Sequence, residues 1–132
     1  MCYLLIEAGY FIGIAKSQWV ASRVLRFLGF LCDSSRQAFL LPDDKRLKFS
    51  SLREQMLASR SIGLKMLQRF AGKVISFSLA VPGCKLYIRE TFKAIFQLNR
   101  SSRPFACIDG DLGAEILYWR FLDEWMDCLP WR

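Results

Sequence analysis

At Pro42 the sequence changes its period, and that change sets the order of elements along the chain. Ahead of it, short apolar runs alternate with turn residues. Tyr10–Ala15 is rich in aromatic and β-branched residues and reads as a buried strand. Arg26–Cys32 and Gln37–Leu41 flank the turn formers Asp33-Ser34-Ser35, which predicts a β-hairpin whose second strand ends at Pro42. Residues 2–8 form the apolar end of a helix stopped by Gly9. Behind Pro42 the pattern turns helical. Asp43 is a suitable N-cap for a helix to about Ala58, and Ser61 for a second to about Ala80, broken by Pro82-Gly83. A third helix covers about Lys85–Leu98. The polar stretch Asn99–Pro104 is a linker, and a last helix runs from about Leu112 to Cys128. There Ile116, Trp119, Leu122 and Met126 fall on one face. Strands first and helices afterwards predict an α+β fold with segregated elements.

The composition, 53% hydrophobic and 23% charged, is that of a folded chain and not a disordered one. A chain of 132 residues can bury roughly two-thirds of its unfolded surface. The apolar run Ala8–Ala15 falls far short of the roughly 20 residues of a membrane helix. Val74–Cys84 is interrupted by Ser76, Ser78 and Pro82. No basic region opens the chain and Glu7 comes early, so no signal peptide is expected. The expected setting is intracellular, cytoplasmic or nuclear, with no membrane partner.

Histidine is absent, which removes every Ser-His-Asp and Cys-His arrangement. Cysteines 2, 32, 84, 107 and 128 are too scattered for a zinc site and are expected to be buried thiols in a reducing compartment. Two acidic pairs are also rejected as metal sites. Asp43-Asp44 opens a helix, where carboxylates suit the dipole. Asp109-Gly110-Asp111 resembles the start of a calcium loop, but the position of that loop's bidentate glutamate is taken by Arg120. No catalytic residue and no metal are expected, and no cofactor within this chain.

The net charge of +7 is uneven. Residues 1–103 hold 17 Lys/Arg against 6 Asp/Glu, while residues 104–132 hold 2 against 6. A basic body suggests a polyanionic partner. In the helix from Ser61, Lys65, Arg69 and Lys73 recur every four residues, with Gln68, Gly72 and Ser76 on the adjacent stripe. Like charges four apart repel in an isolated helix. A phosphate backbone along that face would reverse the sign. Gly72 costs about 1 kcal/mol against alanine inside a helix, which makes sense where a ligand must come close. The plain alternative is a solvated basic face with a packing glycine.

Three stretches resemble a reverse transcriptase of the retroelement type. Gly9-Tyr10-Phe11-Ile12 with Lys16-Ser17 resembles the palm strand that a lysine follows. Phe27-Leu28-Gly29-Phe30 resembles the primer-grip hairpin. Leu67 to Lys73, then Pro82-Gly83 and Lys85, resembles the thumb helix that tracks the template–primer minor groove. The wording Phe-Leu-Gly-Phe, Leu41-Pro42, Ala80-Val81-Pro82-Gly83 and Arg89-Glu90 is most similar to DIRS-type retrotransposon polymerases. The resemblance runs over about residues 2–98.

It implies a partial palm with the primer-grip-like hairpin over 1–42, a helical thumb over 43–98, and a linker with an acidic connection helix over 99–132. Phe27, Leu28, Gly29 and Phe30 would touch the primer end. Lys65, Gln68, Arg69, Gly72, Lys73 and Ser76 would hold an RNA–DNA or DNA duplex without reading its sequence. Lys16 would stand near nucleotide phosphates. The family's Tyr-x-Asp-Asp hairpin lies upstream of the matching region, so an inactive fragment of an RNA-directed DNA polymerase is expected. Magnesium would belong only to an intact parent enzyme. An exposed palm edge along Tyr10–Ala15 would favour self-association. The rival reading is a small basic interaction module docking through an aromatic C-terminal helix with Trp119, Trp125 and Trp131.

Overall fold

A computed structural model describes residues 2–101 and 103–131. The fold is α+β. Strands β1 (Val24–Phe27), β2 (Phe30–Asp33) and β3 (Ala38–Leu40) form an antiparallel meander, with Leu25 opposite Cys32 and Cys32 opposite Phe39. Two turns set its register. Leu28 and Gly29 both have positive φ, 49° and 84°, which makes the two-residue type I′ turn that suits strand twist. At the other end, the Asp33 carboxylate accepts from the backbone N–H groups of Ser35 and Arg36. The expected run Arg26–Cys32 is therefore two strands with a turn inside it.

Helix α1 (Cys2–Glu7) forms as expected, and Gly9, at φ 85°, ends it. The stretch Tyr10–Ala15 does not form the expected strand: it is irregular and passes into a single 3₁₀ turn over Ile14–Lys16. A strand needs a ladder partner, and none lies beside it among the described residues. What this segment and its flanks expose is apolar side chains, Tyr3, Phe11 and Trp19 among them, and not a strand edge.

Helix α2 (Asp43–Ala58) starts one residue earlier than a capping Asp43 would require. Pro42 is the N-cap, and Asp43 and Asp44 occupy the first turn, where the helix dipole favours carboxylates. Helix α3 covers Leu64–Ser76. Ser61 does not cap it: Ser61–Gly63 is strand β4, paired antiparallel with β5 (Phe105–Cys107), which falls between the expected linker and the expected last helix. Helix α4 (Arg89–Arg100) begins four residues after the expected start. The Glu115 carboxylate from helix α5 (Gly110–Tyr118) accepts from the Glu90 and Thr91 N–H groups at 2.8 and 2.9 Å and from the Thr91 hydroxyl at 2.6 Å. A distant acid thus satisfies the helix's orphan donors. The expected last helix is shorter, continuing as 3₁₀ through Asp123, and Leu129–Pro130 (β6) joins β3.

The core centres on Phe49 of α2. Its ring stacks on Phe70 at 5.2 Å and meets Phe77 and Trp119 edge-on at 5.2 and 6.2 Å. Leu67, Phe70, Ala71 and Val74 all face inward from α3. Trp119 is buried and its indole N–H donates to the Tyr87 carbonyl. Met126 is exposed, leaving Ile116, Trp119 and Leu122 as the inward stripe. Of the five cysteines only Cys84 is fully buried, where loss of solvent pushes its thiol up to about 11; Cys107 is exposed.

Arg53, 1% exposed, ties α2 to the C-terminal segment. Its guanidinium donates to the Asp123 carboxylate at 2.6 and 3.1 Å, to the Trp119 carbonyl at 3.0 Å and to Glu54 at 2.9 Å. Burial opposes the charge, and the two carboxylates outweigh it. The Arg53 hydrogen bond in turn holds Asp123 below the usual aspartate range. A depressed carboxyl stabilises the fold above its unfolded pKa, and that contribution is lost as pH falls through the folded value. Urea midpoints are therefore expected to fall below about pH 4, and less steeply in Asp123→Asn. At pH 7 that variant should lose about 2 kcal/mol, because the buried guanidinium loses its main partner. Parallel pH profiles for both proteins would contradict this.

Candidate nucleic-acid interface

Helix periodicity divides α3 into two faces, and packing against α2 and α4 decides which is outside. Lys65, Gln68, Arg69, Gly72 and Ser76 are exposed, and Lys73 is half-buried. From Lys65 to Lys73 the stripe rises about 12 Å along the helix. A Cβ added at Gly72 would meet nothing within 4 Å, so no packing contact requires glycine there. The Ser76 hydroxyl is occupied, donating to the Lys73 carbonyl at 2.7 Å.

The Lys73 ammonium reaches across to α2 and donates to the Lys48 carbonyl at 3.3 Å. Burial, then Arg69 and Lys48, pull its pKa below the ordinary lysine range. Three cations are thus gathered where they repel one another. Lys45 stands one helical turn before Lys48. Its ammonium lies 5.2 Å from the Phe30 ring centre, against the β1–β2 turn, where a Cβ on Gly29 would run into it. Lys45 and Lys48 were not legible as site residues in the sequence, because α2 carries no basic stripe of its own. The helix packing and the hairpin contact bring them into line.

The result is a basic seam from Gly29 through Lys45, Lys48, Lys73 and Arg69 to Lys65. Among the described residues none of these five cations pairs with a carboxylate. The nearby acids are committed elsewhere, Asp44 to Arg26 at 2.9 Å and Asp43 to Arg46 at 2.8 Å. The Arg26 hydrogen bond is the main cause that lowers the Asp44 carboxyl, with a smaller contribution from the Lys48 charge.

The hairpin residues divide. Phe27 and Leu28 are exposed at the tip, Leu28 by 79%, whereas Phe30 turns into the core and is not available to a ligand. Leu28 also sits in the left-handed region, which costs a branched residue about 1–2 kcal/mol. Strain of this kind at an exposed tip is often found where function requires it. Lys16 is exposed on its 3₁₀ turn and makes no hydrogen bond or ion pair with the seam.

The three tryptophans of the rival reading do not share an exposed face. Trp119 is in the core, Trp125 is partly buried, and Trp131 lies beyond the helices against Phe39 at 5.7 Å. Among the described residues no group of three or more His, Cys, Asp or Glu side chains could hold a metal ion, and no helix is long and apolar enough to cross a membrane. Comparison with protein-family models, curated proteins and solved structures gives no match for this chain.

Proposed function

We propose that this chain is a non-catalytic, polymerase-derived protein that binds template–primer duplex through its phosphate backbone, as its resemblance to retroelement reverse transcriptases implies. One observation carries the reading most: five cations, none in a salt bridge with a carboxylate among the described residues, run as a seam from a hairpin turn to a helix face that lacks a side chain at Gly72. Backbone contacts of this kind position a duplex without reading its sequence. Gln68, exposed beside Gly72, can donate to sugar or base-edge acceptors.

The test separates charge from shape. Arg69→Ala or Lys73→Ala should weaken binding to any duplex and lower the magnitude of the salt slope by about one each. Gly72→Leu should weaken binding with the slope unchanged. Charge variants that bind like the parent would reduce the seam to a solvated face. The reading also includes self-association, now through the apolar residues 3–20. A single monomeric species by light scattering at high concentration would remove that part.

A further inference from the structure

The outward face of α4 carries a second arrangement that the duplex reading does not use. Phe92 and Phe96 lie four residues apart and are 45% and 64% exposed, although both are large apolar rings. Leu86, 76% exposed, sits at the same end. With Lys85, Arg89 and Lys93 they line one shallow depression of about 540 Å³. Glu90, the neighbouring acid on the helix, is paired with Lys93 at 2.6 Å, and Glu115 is held by the α4 N–H groups. Rings and cations therefore interleave on this face; Lys93 is taken by Glu90, and among the described residues Lys85 and Arg89 pair with no carboxylate.

We propose that this face binds single-stranded nucleic acid, with one base on each of Phe92 and Phe96 and the backbone phosphates on Lys85 and Arg89. The geometry selects a single strand over a duplex. Residues four apart on a helix have Cβ atoms about 5–6 Å apart, wider than the roughly 3.4 Å rise between stacked bases. Two bases seated on these rings must be unstacked from each other. A duplex keeps its base faces inside its own stack and cannot offer them. Aromatic rings beside a basic track are also how single strands are held without sequence preference. The cations give charge complementarity to a polyphosphate. The site shares no residue with the seam, so it stands or falls separately.

The experiment is an anisotropy titration of the full chain with labelled oligothymidylate, an RNA–DNA hybrid and vesicles of anionic lipid, each at several salt concentrations. Phe92→Ala and Phe96→Ala should each weaken oligothymidylate binding at least about fivefold and leave hybrid binding unchanged. Phe92→Leu should weaken it too, since leucine keeps the apolar contact but offers no ring face. Lys85→Gln with Arg89→Gln should lower the single-strand salt slope by about 1.4 in magnitude. Arg69→Ala should do the reverse, weakening the hybrid and sparing the single strand. All these side chains are exposed, and circular dichroism checks the fold of each variant. Three results would overturn the proposal: no oligothymidylate binding by the parent, Phe92→Leu binding like the parent, or a patch that binds vesicles and not the oligonucleotide. If only the Arg69 effect fails, the seam reading falls and this one stands.

Discussion

Phe49→Ala is expected to cost about 3–5 kcal/mol, a large share of the 5–15 kcal/mol that holds a typical domain folded. Phe49 is fully buried at the meeting point of α2, α3 and the C-terminal segment, touching Phe70, Phe77 and Trp119. Its removal takes away apolar burial, leaves a cavity, and breaks three ring contacts, each of which adds to burial alone. The neighbours cannot easily collapse into the space, because Trp119 is fixed by its hydrogen bond to the Tyr87 carbonyl. The melting temperature should fall by about 10–20 °C. Phe49→Leu keeps most of the volume and should lose a smaller part, about 1–2 kcal/mol. A Phe49→Ala protein less than 1 kcal/mol below the parent in urea unfolding would mean that these three elements do not share one core.

The sequence makes local features readable and hides those that depend on a distant partner. Pro42 followed by two aspartates marks the start of α2 to within a residue, because proline and the helix dipole act locally. The inward face of α3 follows from its own 3.6-residue period. Ser61–Gly63 looks like a helix cap, but its backbone is taken by Phe105–Cys107, more than forty residues away. The start of α4 is set by Glu115, which no pattern near residue 89 reveals. Tyr10–Ala15 has strand composition and no strand beside it. The candidate interface divides in the same way. Lys65, Arg69 and Lys73 are visible as a stripe on one helix. Lys45 and Lys48 join them only through tertiary packing.

Neutralising the seam should have the largest functional effect. Each phosphate neutralised by a cation releases counterions and contributes about −0.9 to the slope of log affinity on log salt. Lys45, Lys48, Lys65, Arg69 and Lys73 together imply a slope of about −4.5. Binding should thus weaken about 500-fold between about 50 and 200 mM salt. Lys45→Gln, Lys48→Gln, Arg69→Gln and Lys73→Gln combined should leave about −0.9, close to flat. The same change should not destabilise the free protein. Lys73 is held below its ordinary range partly by Arg69 and Lys48, so removing these charges relieves repulsion and should add a few tenths of a kcal/mol per pair. A variant that loses binding by unfolding would show the opposite sign.

The most direct measurement is the affinity of the parent and of this fourfold variant for an RNA–DNA hybrid across that salt range, with thermal unfolding of each. The expected result is a steep slope in the parent, a nearly flat one in the variant, and equal or higher stability in the variant. A parent whose binding does not depend on salt, or a variant with the parent's slope, would contradict the assignment of the seam as a backbone-binding surface.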